Sequence, residues 1–172
     1  MSVRKLVYIS ILSALAIGLG LLESWIPMVI PGVKLGLANL VILIAMMSIG
    51  FWGAFAIDMA KVLIVSLLSG TFGQMGFVMS LVGSLLSFFV MYLITRFKNT
   101  FSPVGASAAG GYLHILGQMF IAVLYLGTWD IFYYFPIASL LSLASGILMG
   151  VLALLILRNG YFQRNVQRYL SE

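Results

Sequence analysis

Residues Leu22–Met46 read LESWIPMVIPGVKLGLANLVILIAM. An apolar helix arrives carrying Glu23, with Trp25 at its end. Pro27 and Pro31 stiffen the loop that follows, because proline fixes φ and withholds a backbone donor. Lys34 and Gly36 then open a second helix, with Asn39 just inside it. Outside this stretch nearly everything is apolar. Polar side chains are costly to hold in lipid, so a cluster of them marks a candidate site.

The composition makes lipid part of the solvent. Of 172 residues, 63% are hydrophobic and only 8% are charged, where soluble domains carry about 25% charged residues. A water-soluble fold of this size could not hide so much apolar surface. The chain has no Cys, which excludes disulfides, thiolate metal sites and thiol nucleophiles. One His cannot build a multi-His metal site. The net charge of +5 raises nucleic acid as a partner, but the basic residues stand at helix ends, as a topology signal does. No nucleic acid, metal or cofactor is expected. Arg4 and Lys5 precede an apolar run in the manner of a signal peptide. That run lacks a small-residue cleavage site and is long enough to span, so it reads as a retained helix.

Apolar runs of about 20 residues predict transmembrane helices. The pattern therefore gives an all-α integral membrane protein, a six-transmembrane-helix bundle in one domain over 1–172. The helices are expected near 6–24, 35–49, 51–68, 77–94, 104–126 and 133–157. Gly50 and Gly53 break the second from the third, and Gly70, Gly73 and Gly76 form a turn. Residues 158–172 form a cytoplasmic tail, with Arg164 and Arg168 on a short amphipathic helix suited to a membrane surface. With six spans, Arg4, Lys5, Arg96, Lys98, Arg158, Arg164 and Arg168 share one side and Lys34 alone faces the other. Positive charge marks the cytoplasmic side, so both termini are expected there and the Glu23–Lys34 loop outside the cell.

Two small-residue patterns stand out. Ser10, Ala14 and Gly18 recur at four-residue spacing on the first helix, a ladder that lets another helix approach closely. It contains no large residue and favours a partner outside the bundle. Gly146 and Gly150 form a GxxxG on the last helix and suit packing within the bundle. A faint repeat relates Ser80–Arg96 to Ser142–Arg158; two Ser/Gly-rich helices ending in Arg account for it equally well.

The interior polar groups sit at compatible depths. Asp58 and Lys61, three apart, share a helix face, and Lys61 lies roughly 15 Å along its helix. His114 and Gln118, four apart, share a face that Ser107, Gly111 and Tyr125 continue. If the faces converge, Lys61 and His114 floor an outward-open pocket, Asn39 and Gln118 wall it, and Glu23, Trp25 and Lys34 rim it. Trp129, Tyr133 and Tyr134 either close it or form an interfacial aromatic belt. Each member has a bland alternative: a self-neutralising pair for Asp58–Lys61, a core histidine for His114, a helix bridge for Asn39. Positive groups outnumber negative ones, and the second helix's N-terminus adds partial positive charge. The expected ligand therefore has an anionic group on an apolar body. No DDxxD-type pair, Walker loop or HExxH is present, so catalysis is poorly served and energised transport needs another subunit.

LESWIPMVIPGVKLGLANLVIL, LLSGTFGQMGFVMSLVGSLLSFFVMYL and FSPVGASAAGGYLHILGQ together resemble the signatures of the heptaprenyl diphosphate synthase component I family, also called the Gx transporter family. The likeness spans roughly residues 6–157, and the KLGLAN and HxxGQ words stand in the expected order. By position, the family's marked residues are Glu23, Pro27, Pro31, Lys34, Gly36, Asn39, Lys61, His114, Gly117 and Gln118. Arg is usual in the family at Lys61; the charge is kept, but not the bidentate fork. One family name implies a polyprenyl synthase subunit. The other implies an S component of an energy-coupling factor (ECF) transporter, which docks by a small-residue first helix onto a transmembrane T subunit with two ATPase subunits. The residues favour the second, with a quinone or isoprenoid precursor as the expected substrate. A self-contained secondary carrier, with Asp58 as the midplane acid, is a third reading.

Overall fold

The structure is a computed structural model that describes residues 3–26, 36–97 and 102–170. Pro27, Pro31, Lys34 and Lys98 lie outside these residues, as does the side chain of Arg168. The described chain folds into seven α-helices: α1 (Val3–Trp25), α2 (Leu37–Ile49), α3 (Phe51–Leu68), α4 (Met75–Arg96), α5 (Pro103–Leu126), α6 (Phe135–Arg158) and α7 (Gly160–Leu170). A single-turn 3-10 segment, Asp130–Tyr134, leads into α6.

Five helical stretches among the described residues are long and apolar enough to cross a membrane. The chain is therefore a multi-pass membrane protein, and the sixth expected span, at 35–49, is the shorter apolar helix α2. Its 13 residues extend only about 20 Å, short of a hydrocarbon core about 30 Å thick. Gly36 and Gly50, both at positive φ, bound it at either end with a geometry that L-residues avoid. Gly53 sits inside α3 and breaks nothing.

Although short, α2 is the core. Val41, Ile42, Leu43, Ile44, Ala45 and Met46 are all buried, and α1, α3 and α6 pack around the helix. Two hydrogen bonds fix it antiparallel to α1: Tyr8 Oη donates to Ser48 Oγ at one end, and Leu37 N–H donates to Glu23 Oε1 at the other.

The second half of the bundle is a sandwich of α4, α5 and α6 built on glycine. In lipid there is little hydrophobic drive between helices, so close backbone approach and dispersion carry the association. A methyl group added at Gly83 would meet the His114 carbonyl oxygen at 2.8 Å, and one at Gly111 would meet the Ser142 carbonyl oxygen at 2.7 Å. The GxxxG of α6 faces α5: a methyl at Gly146 would meet Ser107 O at 2.7 Å, and one at Gly150 would meet Val104 Cα at 2.6 Å. The Ser10–Ala14–Gly18 ladder differs. All three are exposed, and nothing lies within 4 Å of a methyl added at Gly18.

Helix α7 is amphipathic, and part of its apolar face packs on the bundle. Phe162, Val166 and Tyr169 pack on the core, and Tyr169 stacks on Tyr8 at 5.7 Å between ring centroids. Trp129, Tyr133 and Tyr134 are exposed and line neither cavity described below, an arrangement that fits the aromatic belt.

The glycine contacts predict opposite outcomes for two similar substitutions. Gly146→Leu should destabilise the detergent-solubilised protein by about 3 kcal/mol, the upper end for overpacking, because backbone cannot give way. Gly18→Leu should leave the melting temperature within error of wild type.

Candidate functional site

Six helices contribute to one chamber. Gly20 and Glu23 come from α1, Gly36 precedes α2, and Ala38 and Asn39 come from its first turn. Lys61, Val62 and Val65 come from α3, Ser80 from α4, Ser107, Gly111 and His114 from α5, and Ser142, Ser145 and Met149 from α6. The free volume is about 50 Å³, room for a few waters or a small head group. Small residues keep it open: a methyl at Gly20 would meet Val65 at 3.0 Å.

Lys61 is the chemical centre. Its Nζ lies 2.7 Å from Asp58 Oδ1 and donates to Ser84 Oγ at 2.9 Å. Ser84 Oγ in turn donates to Asp58 Oδ1 at 2.8 Å. All three residues are buried. A charge in this setting is tolerable only when paired and hydrogen-bonded. An ammonium has three protons, and these contacts use two, leaving one donor on a side chain that lines the chamber. Asp58 does not line it and sits behind Lys61 as its counter-ion.

Glu23 takes a different role from the rim position expected for it. It is 4% exposed and its Oε1 accepts from Leu37 N–H at 2.6 Å, capping the N-terminus of α2. A carboxylate there offsets the helix dipole and an orphan amide together. The partial positive charge of α2 is thus already answered by Glu23, and the charge of Lys61 by Asp58. The excess of positive charge expected inside the pocket is absent among its described residues; Lys34 lies outside them.

Asn39, Lys61 and His114 line the same chamber as Glu23. Gln118 does not: it is 3% exposed and lines a neighbouring cavity of about 280 Å³ with Ser24, Ser66, Ser69, Thr71 and Met79. Val62, Val65 and Ser80 line both cavities. Trp25 is 76% exposed and lines neither, and Tyr125 also points away from them. Three contributors escaped the sequence reading. Ser84, the bridge in the ion pair, is an ordinary small residue by type. Ser142 and Ser145 were available only through the faint α4–α6 repeat, which set Ser80 against Ser142. Among the described residues no group of His, Asp and Glu side chains is placed to hold a metal.

The pairing around Lys61 has a measurable consequence. Asp58→Leu should cost about 3–5 kcal/mol by leaving a buried ammonium uncompensated, while Asp58→Leu with Lys61→Met should recover most of that loss. Chemical denaturation of the two variants in the same micelle checks this.

Comparison with known proteins agrees with the sequence signatures. No curated protein and no solved structure matches the chain. The family model for heptaprenyl diphosphate synthase component I matches residues 12–156, a span holding every residue of the chamber. The chain belongs to the heptaprenyl diphosphate synthase component I family.

Proposed function

We propose that this protein is the substrate-capturing membrane subunit of an ATP-driven importer, in the manner of an ECF S component. The observation that carries the reading is the polar chamber: five helices and the start of α2 present Glu23, Asn39, Lys61 and His114 to one small volume inside an otherwise apolar bundle. Such a concentration of polar groups at membrane depth is what a solute pathway needs. The bias of Arg and Lys toward the side of the termini supports opening to the exterior. In this reading the chamber binds a small amphipathic solute whose head group accepts the remaining Lys61 proton, while Asn39 and His114 orient it.

The exposed face of α1 supports docking onto a T subunit that works with two ATPase subunits. Ser10, Ala14 and Gly18 are outward and unfilled, which permits close helix approach. The chain would then supply recognition, and its partners the energy.

The family name favours a second reading, a non-catalytic membrane subunit of a prenyl diphosphate synthase. The two separate in one assay. Prenyl transfer by the soluble synthase subunit, with and without this chain, should be unchanged under the importer reading.

Lys61→Ala and Asn39→Ala should each abolish or weaken solute uptake by tenfold or more, on the scale of about 1.5–3 kcal/mol for hydrogen bonds to charged groups, while leaving co-purification with the T subunit intact. Ala14→Trp should do the reverse. Co-purification undisturbed by Ala14→Trp would remove the docking role from α1, and uptake that persists without the ATPases would transfer the function to a self-contained carrier.

A further inference from the structure

The larger cavity, of about 280 Å³, adjoins the chamber through shared walls. Its surface is mostly apolar, although several of its residues carry hydroxyls. The protons of those hydroxyls turn back to the chain. Ser24 Oγ donates to the Leu21 carbonyl at 2.7 Å, and Ser66 Oγ donates to the Val62 carbonyl at 2.7 Å. Ser69 Oγ donates to Ser24 Oγ at 3.2 Å, and Thr71 Oγ1 donates to the Ser66 carbonyl at 3.4 Å. These donors are satisfied without a ligand. Val62, Val65 and Met79 add side chains that have no donor at all. None of the described lining residues is charged. Two donor groups stay uncommitted among the described residues, the Ser80 hydroxyl and the Gln118 amide N–H2. Ser80 also lines the chamber. A mostly apolar space with a few placed polar groups is the usual make-up of a small-molecule site.

We propose that this second cavity is the subsite for the apolar body of the captured ligand, whose head stays in the chamber on Lys61, and that the space beside Gly76 sets how long the body can be. The inference deepens the solute-capture reading and rests on it. Val62, Val65 and Ser80 line both cavities, so one molecule can reach from one into the other. The head is assigned by charge. Lys61 offers one proton in the small chamber, and the larger cavity holds no cation to offset the desolvation of an anion. The body is assigned by the lining. A hydroxyl-rich body would give up its water for a mostly apolar wall, whereas a hydrocarbon body gains by leaving water. An apolar cavity of about 150 Å³ holds benzene, so this one has room for a body of about six carbons or more. Its end is marked by Thr71 and Gly76, which both line it. A methyl group added at Gly76 would meet nothing nearer than Thr71 Cβ, at 3.9 Å, so a side chain can take that space. The ligand class is thus an amphipathic acid with a compact acceptor head and an apolar body, on which one acceptor atom can pair with Gln118.

Purified full-length protein in lipid nanodiscs can be titrated by calorimetry with straight-chain carboxylates from butyrate to octanoate, with empty nanodiscs as the reference for partition into lipid. Each added methylene should tighten binding by about fourfold, the factor for burying one CH2. Hexanoate should bind at least about tenfold more tightly than gluconate, the hydroxylated acid of equal chain length. Gly76→Leu should remove the gain on the longer acids and leave butyrate binding as in wild type. Thr71→Leu, in the α3–α4 turn, should act in the same direction and serves where Gly76→Leu fails to fold. Lys61→Met combined with Asp58→Leu, the pair expected to keep the fold, should abolish binding of every acid. Affinity that does not rise with chain length, gluconate binding as tightly as hexanoate, or a rise untouched by both bulky variants overturns the apolar subsite; if the double variant still abolishes binding, the capture reading stands. Acids that do not bind the wild type, or that bind the double variant equally well, overturn the capture reading together with it.

Discussion

A lysine ammonium deep in a bilayer is held only if something else holds its charge, and Lys61 shows how this bundle meets that constraint. Asp58 stands one turn earlier on the same helix, so the pair forms as soon as α3 forms. Ser84 then arrives from α4, accepting from Lys61 and donating to Asp58. The triad is local in one direction and tertiary in the other. It makes α3 electrically neutral before packing and makes its rotation about its own axis specific after packing. A helix that is apolar on every side has little else to fix its rotation. With α3 fixed, Lys61 is turned toward the chamber, Asp58 away from it, and Val62 and Val65 form the wall that both cavities share.

The same logic governs the opposite wall. A helix of 13 residues cannot span a bilayer alone, and its exposed amide ends would be costly in lipid. Burial among α1, α3 and α6 shelters α2, and Glu23 accepts from its first amide. The carboxylate therefore ties the end of α1 to the start of α2 at the edge of the chamber, where Gly36 turns the chain at positive φ. Glu23 is thus a structural brace whose position also makes it a lining residue.

Much of this was legible in the sequence, and the limits are physical. Helix number and order follow from runs of apolar residues, and the positions of Asn39, Lys61 and His114 follow from depth along those runs. Depth is set by counting residues, which a sequence permits. Facing is set by rotation, which it does not permit when all sides of a helix are nearly equally apolar. That is why Gln118, four residues from His114, was expected in the same chamber and lies instead in the next cavity, and why Trp25 was expected at the rim and is turned outward. Ser84 shows the converse. A serine among many serines carries no mark of importance until its neighbours on another helix are known. The bounds of α2, expected at 35–49 and found at Leu37–Ile49, were legible because Gly36 and Gly50 mark its ends.

The acidic side chains of the bundle are few, and those inside it are engaged in structural contacts. Prenyl transfer releases diphosphate, which acidic side chains hold through divalent metal. Only Asp58, Glu23 and Asp130 are acidic among the described residues. The first is held by Lys61, the second by the amide of Leu37, and the third lies on an exposed 3-10 turn, accepting from Thr128 at 2.7 Å. Asp58 and Glu23 thus hold Lys61 and the start of α2 in place. What faces the chamber is Lys61, with one proton to give, beside Asn39 and His114. Under the proposed capture role, that arrangement recognises a polar head group. In the proposed importer reading, the open face of α1 is the surface through which the partner subunits act on the bundle.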